Sequence, residues 1–294
     1  MKKRFLSEPT WETRTLLVSA MICFSWLVVS LGSVMITKRQ EPFLWIGVLT
    51  VLAFAMPLVL YLNTEAGRGT LWGNVGFSPR SLWRIALFAL GLLLLSFAVL
   101  VATGKGMRIY GYSHVLQPTW KSIFPSFLFL VLFPTLSEEL FLRGVWQGEQ
   151  ENVSILGTVL LSACLSTVYG MDAFTCLYLF LGGAVLSLVR MQNGSVYASL
   201  LCALAWRGVL LLGMPALPLD AIWGIMPRAV WAVIAVLLSA VCFFFAIYKK
   251  AIRKSSDSTA VLQKDKLQKM YFPVFSVAAL AVATVLSFIF HGRS

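Results

Sequence analysis

Charged residues are scarce in this chain. Of its 294 residues, 12% are charged and 59% are hydrophobic, and the mean hydropathy is +0.83. Soluble domains average about 25% charged and about 45–50% apolar residues. A soluble globular protein is therefore excluded, and the composition indicates a protein whose solvent is the lipid bilayer.

Histidine, paired cysteine and nucleotide-binding motifs are also missing. The chain has only two histidines, His114 and His291, and neither a P-loop nor a G-x-G-x-x-G motif, so a nucleotide-driven pump is not supported. Its five cysteines lie in apolar stretches without C-x-x-C spacing, which predicts reduced core thiols rather than a disulfide framework or a zinc knuckle. These cysteines are Cys23, Cys164, Cys176, Cys202 and Cys242.

Long apolar runs fill most of the chain. A transmembrane helix needs about 20 mostly apolar residues. The candidate segments are Leu16–Ile36, Phe43–Leu62, Leu82–Ala102, Ile123–Leu136, Ile155–Tyr169, Ala173–Val189, Val196–Leu212, Ala229–Tyr248 and Tyr271–Phe290. We therefore predict an all-α polytopic membrane protein with about nine transmembrane helices. Its predicted parts are N-terminal helices and loops at 1–121, a core at 122–212, and C-terminal helices at 213–294.

The net charge of +12 would suggest nucleic acid binding in a soluble chain, but here it predicts topology. Along a nine-helix path, sixteen lysine and arginine residues fall on the side of the N-terminus and seven on the other. The positive-inside rule then predicts a cytoplasmic N-terminus. The basic stretch 249–269 is interpreted as a cytoplasmic loop near anionic lipid. The expected surroundings are the bilayer, with no nucleic acid partner.

The strongest cluster of ionisable residues lies in the segment Pro134–Gly144. Its acidic pair, Glu138 and Glu139, is predicted at a helix end, with Arg143 on the same face as Glu139. Glu138 is then rotated by about 100°. Pro134 predicts a kink or a restart of the helix. Such a pair suits activation of water by one carboxylate while the second orients the water or holds a metal. The alternative is a charged cluster that ties two helices together.

The pattern E-E-x-x-x-R-G on the fourth helix resembles the first motif of the CPBP family, the CAAX-protease and bacteriocin-processing membrane peptidases also called Abi proteins. The small residues of Gly182–Arg190, followed by the turn that starts at Asn193, resemble the family's later helices. The resemblance covers about residues 120–212. It implies an intramembrane endopeptidase in which Glu138 activates water, with Glu139 and Arg143 beside it. Family members are described either as metal-dependent or as glutamate peptidases.

The chain departs from the family pattern at the histidines. The family completes its site with F-x-x-x-H and H-x-x-x-N motifs, whose positions fall here at Met171, Ala203 and Arg207. Asp172 or Cys202 offers a ligand only if a helix shifts by one residue. We therefore expect no cofactor, and a divalent metal such as zinc only if the site is rebuilt.

Arg207 is a lone guanidinium inside an apolar helix. Because a buried charge needs a partner, we predict that it neutralises the Glu138–Glu139 pair. The alternative is that its side chain extends to the membrane interface.

The loss of both histidines predicts a degenerate family member, namely a peptide-binding, regulatory or immunity-type membrane protein. Its expected partner is a peptide or another membrane protein, and its expected location is a bacterial plasma membrane. The first alternative is an active endopeptidase that cleaves leader peptides or prenylated C-termini, with Glu138 as the base. Arg207 and Asp172 are the candidate substrate-binding or site-neutralising residues. The second is a small-solute or proton-coupled transporter.

Overall fold

The computed structural model describes residues 11–36, 42–63, 82–104, 120–148, 155–170, 173–213 and 227–247. These residues are almost entirely helical, and no strand occurs among them. The predicted all-α fold is confirmed, and the protein is an integral membrane protein.

Ten α-helices are described, several of them continued by π-helical turns. The first four are α1 (Trp11–Ile36), α2 (Pro42–Thr50), α3 (Met56–Leu62) and α4 (Leu82–Thr103). The next four are α5 (Trp120–Ser126), α6 (Phe133–Glu139), α7 (Ile155–Thr167) and α8 (Ala173–Asn193). The last two are α9 (Val196–Gly208) and α10 (Arg228–Ile247). The π-helical turns are Val51–Ala55, Phe127–Leu132, Leu140–Trp146 and Val209–Gly213.

Five helical stretches within the described residues are long and apolar enough to cross a membrane. They are Leu44–Leu62, Leu82–Thr103, Ile123–Trp146, Ala173–Asn193 and Arg228–Ile247. Each predicted segment up to Ala229–Tyr248 overlaps a described helical stretch, although the bounds differ. The last one, Tyr271–Phe290, lies outside the described residues, so the count of nine stays a prediction.

Two π-helical turns precede prolines. Pro57 in α3 and Pro134 in α6 have no backbone N–H, and each follows a turn whose hydrogen bonds span five residues. The hydroxyl of Ser25 in α1 donates to the carbonyl of Ala53, four residues before Pro57, at 2.5 Å. A backbone carbonyl that the proline leaves without its helical donor is thus satisfied by a neighbouring helix, as a membrane interior requires.

The predicted helix boundary near Leu136 was wrong. The helical stretch continues through Pro134 to Trp146, so Glu138 and Glu139 lie in its interior and not at its end. The π-helical turn Phe127–Leu132 lies directly before the helix that contains Pro134. Such a turn changes the hydrogen-bond pattern locally, and the helix continues past the proline.

Two clusters of buried apolar side chains build the protein interior. The first draws on α1, on α2 and α3, and on the stretch from α5 to Trp146. The second draws on α4, α8, α9 and α10. Helices α4 and α10 pack along much of their length, as do α7 and α8. Helix α9 contacts α6 as well as α4 and α8, so its residues meet both clusters.

Candidate functional site

Arg207 and Glu138 form a two-pronged ion pair between α9 and α6. The Nη1 and Nη2 atoms of Arg207 donate to Oε2 and Oε1 of Glu138, each at 2.8 Å. Glu138 is 4% exposed and Arg207 is 5% exposed. The predicted pairing is therefore confirmed for Glu138, and extension of Arg207 to the membrane interface is excluded by its burial.

Glu139 and Arg143 occupy the neighbouring face of the same helical stretch. Nε of Arg143 lies 3.8 Å from Oε2 of Glu139, four residues apart as predicted. The hydroxyl of Ser199 on α9 lies beside the Glu139 carboxylate. Within the described part of the chain, Oε2 of Glu139 accepts no hydrogen bond. The two glutamates thus have different surroundings, since both oxygens of Glu138 accept hydrogen bonds, whereas Oε2 of Glu139 has only the longer ion-pair contact with Arg143.

The guanidinium of Arg143 joins three helical stretches. Nη1 donates to the Ser162 hydroxyl on α7 at 2.8 Å, and Nη2 donates to the Ser166 hydroxyl at 3.2 Å and to the Gly183 carbonyl on α8 at 3.4 Å. The planar fork of an arginine suits this geometry because its donors point in several fixed directions. Arg143 therefore fixes α7 and α8 against the helix that carries the glutamates.

One turn further on, Gln147 extends this polar contact. Its Nε2 donates to both the hydroxyl and the carbonyl of Ser187 on α8, at 2.9 and 3.2 Å. Glu139, Arg143 and Gln147 follow one another at four-residue intervals, so a single polar face of this helix is covered by α7 and α8. Burial of that face in protein keeps its polar atoms out of lipid.

The close approach of α7 and α8 depends on small residues. A Cβ atom at Gly183 would lie 2.7 Å from Oγ of Ser166 and 2.9 Å from Cα of Ala163. Only glycine permits this packing without a shift of one helix. Membrane helices use small residues for such contacts, and here the contact brings the Gly183 carbonyl to Arg143.

The position of the second missing histidine is occupied by a buried small residue. Ala203 is 0% exposed and lies on α9 between Ser199 and Arg207, at four-residue spacing from each. Met171, Asp172 and the two histidines lie outside the described residues, so the predicted contribution of Asp172 stays a prediction.

The five cysteines form no disulfide with one another. The expectation that all of them lie in the core was wrong. Cys202 is buried, whereas Cys23 is exposed on the outer face of α1 and the other three are partly exposed. Apolar segments of a membrane protein also face lipid, where a thiol is readily accommodated.

A catalytic metal does not fit the described side chains. Among them, no three His, Cys, Asp or Glu residues are grouped as metal ligands. Both oxygens of Glu138 already accept hydrogen bonds from the Arg207 guanidinium, and Ala203 supplies no donor atom. A fixed cation beside the carboxylate disfavours a second one through like-charge repulsion.

Ser162, Ser166, Gln147 and Ser187 were not predicted as site residues. Their signal in the sequence was the spacing, because Ser162 and Ser166 stand four apart in an apolar segment and Gln147 stands four after Arg143. Polar residues at one-turn intervals within apolar helices indicate interhelical hydrogen bonding.

Comparison with known families identifies the segment that carries this site. Residues 119–209 match the model of the type II CAAX prenyl endopeptidase Rce1-like family. Over this segment the chain is similar to that family, which agrees with the resemblance to the CPBP family found in the sequence. No curated protein and no solved structure matches it. The matched segment spans α5 to α9 and includes both glutamates and both arginines of the site.

Proposed function

We propose that this protein is a non-catalytic member of the CPBP family that acts as a peptide-binding, regulatory or immunity-type protein within the membrane. One observation carries the proposal: both carboxylate oxygens of Glu138 accept hydrogen bonds from Arg207 at 2.8 Å. A general base must offer an oxygen to the water whose proton it takes. The ion pair uses one lone pair on each oxygen and stabilises the ionised carboxylate, so Glu138 is a weaker base toward water.

The residues beside the pair support the same proposal. Ala203 stands at the position where the family pattern has a histidine, and a methyl group neither transfers a proton nor binds an ion. With Arg143 and Arg207 against Glu138 and Glu139, the four charges of the cluster balance. A cluster without net charge does not attract a further cation.

The helices of the family-like segment remain packed around the ion pairs. Arg143, Gln147 and Gly183 hold the helix of the glutamates against α7 and α8. Loss of catalytic groups together with retention of the surrounding scaffold is what a binding or regulatory role requires. In this role the partner is a membrane-proximal peptide or another membrane protein.

Purified protein in lipid nanodiscs tests the proposal. Peptides that end in a prenylated cysteine motif, and apolar leader-like peptides, each with a photo-crosslinking group, are incubated with the wild type and with Glu138→Gln. We expect crosslinking to both proteins and cleavage by neither. Glu12→Gln in α1 makes the same change from carboxylate to amide and is the matched control for Glu138→Gln. Cleavage by the wild type that Glu138→Gln abolishes would overturn the proposal.

A second candidate function, an active endopeptidase, is favoured by one observation. Oε2 of Glu139 is buried and accepts no hydrogen bond from the described residues, so its lone pairs are available to a proton donor that reaches the site. In that case Glu139 is better placed than Glu138 to activate water, and Glu139→Gln abolishes cleavage. Glu138→Gln then acts only by releasing Arg207.

A further inference from the structure

Trp206, the residue before Arg207, contacts two other helices. Its indole Nε1 donates to the hydroxyl of Ser96 on α4 at 2.9 Å. Trp206 is 1% exposed and Ser96 is 0% exposed. A buried indole N–H needs an acceptor, and Ser96 supplies it from outside the segment 119–209 that matches the family.

The other edge of the Trp206 ring lies against Gly182 on α8. A Cβ atom at Gly182 would fall 2.5 Å from Cη2 and 2.7 Å from Cζ3 of this ring. Real Cβ atoms do not approach so closely, because overlap at this distance forces one group to move. The bare backbone of Gly182 and the hydroxyl of Ser96 therefore hold the indole from two sides.

The indole in turn borders the guanidinium of Arg207. The Cζ atom of Arg207 lies 5.8 Å from the centroid of the Trp206 ring, within the range of a cation–π contact. The same guanidinium donates to both oxygens of Glu138. Its position is thus bounded by the carboxylate on one side and by the ring on another.

We infer that Ser96, Trp206 and Gly182 are positioning residues that hold Arg207 on Glu138. The contact with Ser96 makes α4 part of the support of the site. The matched family segment alone lacks this support. The inference goes beyond the proposed function, since it concerns the geometry of the ion pair and holds whether or not the protein cleaves peptides.

A hydrophobic carbodiimide provides a direct readout of the ion pair. The reagent enters the bilayer and forms a stable N-acylurea with protonated carboxyl groups. A carboxylate in an apolar core that loses its cation is favoured in the protonated form. Labelling of Glu138, located by tandem mass spectrometry, therefore reports how often Arg207 leaves it, and Glu139 on the same peptide is an internal comparison.

Ser96→Ala and Trp206→Phe are the test variants in the full-length protein. Loss of one buried hydrogen bond corresponds to an increase of about two- to tenfold in the labelling rate of Glu138. Ser96→Thr, which keeps the hydroxyl, restores the wild-type rate. In an Arg207→Ala background, where Glu138 is already released, Ser96→Ala adds no further labelling.

Ser239→Ala is the matched control. Ser239 on α10 is also buried and also hydrogen-bonded to α4, through the Gly91 carbonyl at 2.8 Å, but it does not contact Trp206. We expect Ser239→Ala to lower the melting temperature without a change in the labelling of Glu138. Two results would overturn the inference: unchanged labelling in both Ser96→Ala and Trp206→Phe, or an equal rise with Ser239→Ala, which would indicate general loosening of the helices.

Discussion

Arg207 reaches across 69 residues of sequence to place both of its terminal nitrogens on the two oxygens of Glu138. The pair is almost completely buried, between α9 and α6. For such a pair, attraction between the charges is offset by the cost of removing both from water. Its main energetic effect appears when only one partner is lost, because the remaining charge is then buried alone.

Arg207→Ala is therefore expected to destabilise the protein by about 3–5 kcal/mol. Glu138→Leu should cost a similar amount, whereas the double variant Glu138→Leu/Arg207→Leu should lose less than the sum of the two. Unfolding in detergent by increasing denaturant measures the three free energies, and a double-mutant cycle gives the coupling.

Arg84→Ala is the control for this cycle. Arg84 is partly exposed on α4, and its guanidinium lies 5.3 Å from the ring of its neighbour Trp83. Loss of a partly exposed charge of this kind costs less than about 1 kcal/mol. Equal losses for Arg84→Ala and Arg207→Ala would show that the buried pair has no special role.

Arg143→Lys tests the second charged group. Lysine keeps the positive charge, but a single ammonium cannot reach Ser162, Ser166 and the Gly183 carbonyl together. We expect a loss of about 2–3 kcal/mol in the free energy of unfolding. The same change at Arg84 should have little effect. If Arg143→Lys left the free energy of unfolding unchanged, the positive charge alone, and not the set of hydrogen bonds, would hold α7 and α8 in place.

Several features of the site were open to prediction because they depend on local spacing or on charge. The four-residue interval places Arg143 beside Glu139 whatever the surrounding fold, and the cost of a lone buried charge requires a partner for Arg207. The choice of Glu138 as that partner depends on how α9 crosses α6, which is a tertiary property. The roles of Ser96 and Gly182 depend on contacts between helices that are far apart in the sequence. The hydrophobic periodicity of a single helix does not show which other helices it contacts.

The helix boundary at Leu136 was mispredicted for a related reason. Charged and polar residues after Leu136 lowered the local hydropathy, which is the expected sign of a segment end. In the structure those residues face α7, α8 and α9 instead of water. Polar content therefore marked the interior of the bundle and not its surface.

Metal removal should leave the protein unchanged. Both oxygens of Glu138 accept hydrogen bonds from Arg207, and Ala203 supplies no metal ligand. A metal that does not bind cannot stabilise the folded state, so a chelator is expected to shift the melting temperature by less than about 1 °C. Added zinc should likewise have no effect. Elemental analysis of protein purified without a metal-affinity step provides the second measurement. Stoichiometric metal that is lost together with stability would contradict this prediction.

Gly183→Ala tests the close contact between α7 and α8. The added methyl group would overlap Oγ of Ser166 and Cα of Ala163, and the backbone atom cannot move away without a shift of α7. Overpacking of this kind costs about 1–3 kcal/mol. Gly208→Ala is the matched control, because its Cβ would meet only Cγ1 of Val131 at 3.9 Å, an ordinary contact. We expect Gly208→Ala to be neutral or slightly stabilising, since alanine favours helix more than glycine does. Equal melting temperatures for the two variants would show that α7 and α8 yield easily, and that Arg143 is held by its hydrogen bonds without the help of this packing.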